Sequence, residues 1–303
     1  MPSLRILYRG PLSSCNYGCT YCPFAKHMET PAEHRADAQA LARFVEWVAT
    51  EATDRTIGIL FTPWGEALHH RRYQQAFVRL TNLPHVEKVA IQTNLSCRFD
   101  WIDDCMPEKV ALWATYHPTE TTRAAFVEQV GAARARGVAV SPGVVGIREQ
   151  QAEIERLRVD LPDDLYLWIN AYKRVEGYYS AETHQSFTTI DPLFPINTLR
   201  HPSIDQWCDA GHTSVSIDGD GNLRRCHFIK PPLANIYTDD WRAVLEPRRC
   251  TNATCGCHIG YVYMPHLKQD AIYGDQILER IPLLPRSELR HDLKIRSPYV
   301  ASG

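Results

Sequence analysis

Cys15-Asn16-Tyr17-Gly18-Cys19-Thr20-Tyr21-Cys22 follows an apolar run, residues 4–8, that reads as a β-strand. A CxxxCxxC loop can wrap three thiolates around three irons of a cubane cluster, and the fourth iron then has no protein ligand. An open metal position is where a further ligand binds, as in a catalytic zinc site. Gly18 permits the tight backbone of such a loop. A structural zinc site usually draws on two CxxC-type pairs and four ligands, which three isolated cysteines do not supply. The spacing therefore predicts an iron–sulfur centre directly after a strand.

Outward from the loop, apolar β-rich runs alternate with amphipathic stretches. Strands are expected at residues 4–8, 56–61, 88–92, 110–116, 138–144 and 165–170, and helices at 36–52, 71–80, 121–136 and 148–157. In the first helix Leu41, Phe44, Val45 and Val48 recur at three- and four-residue spacing on one face. Gly137 sits where the third helix would end. Repeated strand–helix units argue for an α/β fold with a parallel sheet or barrel, its ligand site at the carboxyl ends of the strands. Six units are too few for a complete eightfold barrel.

The 303 residues can bury a sizeable core, and 44% hydrophobic with 22% charged residues is ordinary for a globular protein. A formal net charge of −2 gives no reason to expect nucleic acid. The N-terminus has no signal-peptide stretch, and no window approaches the roughly 18 apolar residues of a membrane span. A cytoplasmic location follows as an expectation. Disulfides are rare there, so ten cysteines at short spacings point to metal ligation. P-loop, complete GxGxxG and HExxH motifs do not occur.

With Tyr21 before the third cysteine, the loop resembles the signature of the radical S-adenosylmethionine superfamily. The resemblance implies a partial (β/α)6 barrel and a [4Fe-4S] cluster on Cys15, Cys19 and Cys22. It also implies that S-adenosyl-L-methionine chelates the open iron and is cleaved by one electron to methionine and a 5′-deoxyadenosyl radical. Tyr21 and Phe24 would lie near the adenine. Thr62-Pro63-Trp64-Gly65-Glu66 is similar to the family's GGE motif, with Trp64 replacing the first glycine, so Gly65 and Glu66 would meet the cofactor's amino group. Gln92-Thr93-Asn94 is similar to the TNG element, with Leu95 in place of glycine. Thr115 and His117 stand where the family has polar residues near the ribose. Pro142-Gly143-Val144-Val145-Gly146-Ile147-Arg148-Glu149 resembles the GxIxGxxE element near the adenine, which implies Gly146 and Ile147 as contacts. The resemblance spans roughly residues 4–175.

From about residue 201 the alternation stops, and five cysteines fall within residues 208–257. Ser214 to Cys226 reads as a β-hairpin around an Asp-Gly turn. Asp218, Asp220 and Asn222 match the start of an EF-hand loop, but its twelfth position is Ile229, so a turn suffices. Cys208, twelve residues and Gly221-Asn222-Leu223-Arg224-Arg225-Cys226 resemble the Cx(9–15)GxxxxC element of SPASM and twitch extensions. That resemblance implies one auxiliary iron–sulfur cluster of [4Fe-4S] type, held by Cys208, Cys226 and two of Cys250, Cys255 and Cys257. Structural zinc competes, with His258 as a further candidate ligand. Cys97 and Cys105 read as buried thiols. The expected division is a barrel over 1–200, a small cluster domain over 201–285 and a polar tail over 286–303.

Period-two alternation puts Trp168, Asn170 and Tyr172 on one face of the sixth strand and Leu167 and Ile169 on the other. The first set would line the interior, with Asn170 towards the cofactor and Tyr172 and Lys173 as candidate catalytic groups. Relatives imply oxidoreductase-type hydrogen abstraction from a peptide or protein side chain, giving an oxidation or a crosslink. The alternatives are dehydrogenation of a small alcohol or amine metabolite and, in another class, a zinc-stabilised binding protein. An electron donor such as flavodoxin or ferredoxin is implied. The first strand begins near Met1, so a leader-binding partner is expected to be separate.

Overall fold

The computed structural model of the chain describes residues 3–24 and 27–289; of the polar tail expected at 286–303, all beyond 289 lies outside the described residues. Six strands, β1 (Ser3–Arg9), β2 (Thr56–Phe61), β3 (Val86–Thr93), β4 (Val110–Tyr116), β5 (Ala139–Gly146) and β6 (Trp168–Ala171), lie side by side in chain order. All their pairings are parallel. Helices α1 (Pro31–Thr50), α2 (Arg71–Thr81), α3 (Arg123–Arg134) and α4 (Gln151–Asp160) make the crossovers, except between β3 and β4, where short 3-10 turns serve. Crossovers of one hand between strands in unbroken order fall on one face, as in a barrel wall and unlike a doubly wound sheet. The wall does not close, because β6 pairs only with β5.

All six expected strands form. The first helix begins five residues earlier than its apolar periodicity suggests, at Pro31 rather than Ala36. Thr30 accepts from the Glu33 N–H, the Glu33 side chain returns the bond, and Pro31 fills the first turn. A fifth helix, α5 (Ala181–Ile190), capped by Ser180, follows β6 and was not expected.

Alternation along the strands makes two cores. Leu4, Ile6, Tyr8 and Ile169 pack with Phe44, Val48 and Phe187 on the helix side. Leu7, Leu60, Ala90, Ala111, Trp113 and Trp168 pack on the opposite side against Ile259, Val262, Tyr273 and Leu278. The facing predicted for Trp168 and Ile169 therefore holds. At about 2 kcal/mol for each buried large aliphatic side chain, these faces outweigh any single polar contact in fixing the sheet.

The hairpin continues the sheet. Its strand Ser214–Asp218 pairs in parallel with β1, Asn222–Arg224 returns antiparallel to it, and Ala234–Asn235 completes nine strands. Asp218 Oδ1 accepts from the Asp220 and Asn222 N–H groups, both at 3.0 Å, so these residues build the turn. Two short pairings, Trp207–Cys208 with Arg248–Arg249 and His201–Pro202 with Thr254–Cys255, fold the remaining cysteines back towards it.

Two glycines separate packing from propensity. A Cβ at Gly143 would stand 2.0 Å from the Trp168 ring, whereas one at Gly131 in α3 would meet nothing within 4 Å. Urea unfolding should find Gly143→Ala destabilised by about 3 kcal/mol and Gly131→Ala stabilised by about 1 kcal/mol.

Candidate functional site

The cysteine loop is seated on the carboxyl ends of three strands. Its root, Ser14, offers its carbonyl to the Glu66 N–H at 3.1 Å just beyond β2. A Cβ on Gly65 would lie 1.7 Å from that oxygen, so only glycine allows this approach. Glu29, on the far side of the loop, accepts from Ser13 N at 2.7 Å and from Ser14 Oγ at 2.6 Å. Beyond β3, Asn94 Nδ2 donates to Asn16 Oδ1 at 2.9 Å and Ser96 Oγ accepts from Asn16 at 3.1 Å. Beyond β4, Glu120 accepts from Gly18 N at 3.1 Å.

The three thiols meet polar groups within this frame. Cys15 Sγ accepts from Tyr17 N at 3.4 Å, and Cys22 Sγ from Phe24 N at 3.4 Å. Cys19 is buried, with its sulfur 3.2 Å from His117 Nδ1, and the Tyr21 hydroxyl lies 2.8 Å from the same nitrogen. Burial pushes the Cys19 thiol up to about 11 and raises Cys15, so neither ionises unaided near neutrality. A bound metal removes such protons outright. Burial lowers His117 to about 4, keeping the imidazole neutral. Three thiols, two of them with backbone N–H donors aimed at sulfur, are a donor set suited to iron–sulfur chemistry.

Glu66 has a structural position. Its buried carboxylate accepts from Leu68 N at 3.1 Å, Thr93 Oγ1 at 2.8 Å and Asn94 N at 2.5 Å, tying the exits of β2 and β3. Burial raises its carboxyl to about 7. Phe24 stacks on Trp64 with centroids 5.8 Å apart, and the Arg9 guanidinium lies 5.5 Å from the Trp64 ring. Thr115 is half-buried near the end of β4. Gly146 and Ile147 end β5 elsewhere: the Gly146 carbonyl accepts from the Tyr179 hydroxyl at 2.7 Å, and a Cβ there would meet Ile169, Tyr179 and Phe187 on the helix side. Tyr172 packs against the Tyr178 ring at 4.9 Å, and its N–H donates to Tyr179.

The five later cysteines come together. Cys208, Cys226, Cys250, Cys255 and Cys257 line one cavity of about 350 Å³ with Asn170, Lys173 and Arg200. Cys208, Cys226 and Cys250 lie within one another's electrostatic reach, Cys255 feels Cys226, Cys257 and Cys208, and Cys257 also feels Lys173, Arg280 and Arg9. Burial drives Cys208 to about 11 and Cys255 to about 12. Lys173 Nζ donates to the carbonyls of Asn197 and Gly256, and burial lowers it to about 8. His258 packs instead against Trp113 at 5.7 Å and Tyr273 at 5.4 Å. Arg225, unforeseen from the sequence, is buried and donates to the carbonyls of Ala210, Arg248 and Arg249. Cys97 and Cys105 are buried in the helix-side core.

Gly65→Ala should free the loop, seen as faster proteolysis between residues 10 and 29 with unchanged far-UV circular dichroism; equal rates would contradict the clamp. Glu66 in the folded chain keeps its proton up to about pH 7, whereas the unfolded chain releases it near 4.5. Within that window the native state binds the extra proton, so the contribution of this group to stability is full below it, declines as pH rises through it and levels off above. Urea unfolding across the window should show that decline, and Glu66→Gln should flatten it.

No family model matches the chain, and no curated protein matches it. Solved structures resemble it in fold. Histidine-tagged anSMEcpe with bound AdoMet aligns with a TM-score of 0.53 at 13% identity, over 86% of this chain and 81% of that one. Native anSMEcpe with bound AdoMet and Cp18Cys peptide gives 0.51 at 14% identity, over 80% of each chain. Streptococcus suis SuiB bound to S-adenosylmethionine gives 0.51 at 13% identity, over 81% of this chain and 66% of that one. The chain thus has an α/β fold with a mostly parallel nine-stranded sheet, like these structures. Among the described residues no helix is long and apolar enough to cross a membrane.

Proposed function

We propose that the chain is a radical S-adenosylmethionine enzyme of oxidoreductase type that takes hydrogen from an unactivated carbon of a peptide or protein side chain. The observation that carries this reading is the three-thiol loop clamped onto the exits of β2, β3 and β4. Fold likeness to structures that hold AdoMet supports it, and the peptide in one of them supports the substrate class.

Cys15, Cys19 and Cys22 would hold a [4Fe-4S] cluster, which when bound supplies the electron that splits the sulfonium cofactor. Phe24 and Trp64 present stacked rings beside the loop for a planar base. Glu66, Thr93 and Asn94 keep the adjoining strand exits in register. Neutral His117 presents a nitrogen to Cys19 and Tyr21 without adding a charge. In the second group, Cys208 and Cys226 with two of Cys250, Cys255 and Cys257 would hold an auxiliary cluster, all five lining one cavity. Flavodoxin or ferredoxin would supply electrons, in the cytoplasm. The partial barrel would carry the cofactor, and the segment after residue 200 the second cluster.

Protein purified without oxygen should be brown and contain about eight irons per chain, the sum of two cubanes. S-adenosylmethionine should alter the electron paramagnetic resonance spectrum of the reduced protein, because one iron is open to it. Cys19→Ala should abolish 5′-deoxyadenosine formation, whereas Cys226→Ala should leave uncoupled cleavage. Colourless protein containing zinc would overturn the proposal in favour of a zinc-stabilised binding protein. Equal loss in both variants would remove the division of labour.

A further inference from the structure

Two cations, Lys173 after β6 and Arg200, line the cavity, and two more, Arg9 at the end of β1 and Arg280, lie within electrostatic reach of Cys257. The ion pairs of the described residues lie elsewhere, for example Arg72 with Asp37, Arg123 with Glu153 and Arg242 with Asp54. These four are held by neutral groups instead. Arg9 Nε donates to the Thr62 carbonyl at 2.8 Å and its guanidinium faces Trp64. Lys173 donates to two carbonyls, and Arg200 Nη2 donates to the Lys173 carbonyl at 3.3 Å. Arg280 lies 4.2 Å from the centroid of Trp168 and 5.5 Å from that of Trp113. Carbonyls and aromatic faces orient a cation without cancelling its charge.

Arg280 is the most telling of the four. It is 5% exposed, its Nε has no partner among the described residues, and its backbone is left-handed at φ 56°. A buried unmet donor on a strained residue is costly and marks a position kept for its placement. The acid that faces it, Asp191, already accepts from the Tyr166 hydroxyl, Ile169 N and Leu193 N, and burial raises its carboxyl. The neighbouring His258 also has an unpartnered buried nitrogen, Nε2.

A cluster of thiolates would need some counter-charge. Arg225 supplies it at the other end, where it acts on Cys208 and Cys226. Of the four remaining cations, Lys173 and Arg200 line the cavity with Asn170 and Cys257, while Arg9 and Arg280 lie outside its lining and act electrostatically on Cys257. Resting on the radical-enzyme reading above, we propose that this end is a receptor for an oxyanion of the substrate, a carboxylate or a phosphate, with Lys173 and Arg200 as its cavity-lining contacts and Arg9 and Arg280 as the charges behind them.

The test is isothermal titration calorimetry of the cluster-loaded protein with S-adenosylmethionine present at saturation, so that the cofactor's own carboxylate is already bound. The probes are succinate, glycerol phosphate and neutral succinamide. One of the anions should bind at least about tenfold more tightly than succinamide, and Lys173→Gln and Arg200→Gln should each weaken it about tenfold, as loss of a charge-assisted hydrogen bond does. Arg200 is exposed, so its variant keeps the test valid should Lys173→Gln fail to fold. Preference for succinate assigns a carboxylate, and preference for glycerol phosphate a phosphate. Equal binding of succinamide, or unchanged anion binding in the folded variants, overturns the receptor. Cofactor cleavage by the unmodified protein is measured alongside: anion binding without cleavage removes the enzymatic reading alone, and cleavage without anion binding removes the receptor alone.

Discussion

The site depends on one backbone contact, the Ser14 carbonyl received by the Glu66 N–H with no side chain between the two segments. Loop closure of this kind costs conformational entropy in proportion to the residues it fixes. The loop meets that cost through several anchors on separate elements: Glu29 at its root, Asn94 beyond β3 and Glu120 beyond β4. No single one of them is strong, since a hydrogen bond contributes only about 1 kcal/mol net. Their effect lies in distribution, because the three cysteines cannot shift without straining bonds to three strand exits at once. Glu66 then couples the loop to the sheet by holding Thr93 and Asn94 from the same residue that meets Ser14.

Charge divides the molecule in a second way. The cysteine loop has acids around it, Glu29, Glu66 and Glu120, while the cavity has cations, Arg9, Lys173, Arg200, Arg225 and Arg280. Trp64 lies between the two groups, stacked on Phe24 from the loop and facing Arg9 towards the cavity.

What was legible in the sequence was whatever local periodicity or spacing encodes. The six strands, the facing of Trp168 against Ile169, and the Asp218 turn follow from alternation and turn chemistry. The start of α1 is equally legible in Thr30-Pro31 and Glu33, whereas the apolar stripe of the helix begins later. The gathering of five cysteines was foreshadowed by their number, and their pairing through residues 201–202 and 207–208 was not. Arg225, Arg280 and Glu29 carry no local signature, because their meaning comes from partners distant in the chain. Gly146 has a motif-like setting that implies a cofactor contact, and a Cβ there would meet Ile169, Tyr179 and Phe187, the last on a helix that was not foreseen.

Two of the departures from the resembled motifs are physically informative. Leu95 stands where the TNG element has glycine, and its φ is 61°, so the left-handed turn persists without the residue that makes it easy. That conformation costs a side-chain-bearing residue about 1–2 kcal/mol. Leu95 is 1% exposed within the helix-side core, and burying a leucine returns about 2–3 kcal/mol, so packing offsets the strain. Trp64, in place of the first glycine of the GGE element, gains a stacking partner in Phe24 and positions Arg9. In both places a glycine's freedom has been exchanged for a large side chain that the surroundings can use. The turn geometry survives the exchange, and the surface beside the loop becomes aromatic and cationic.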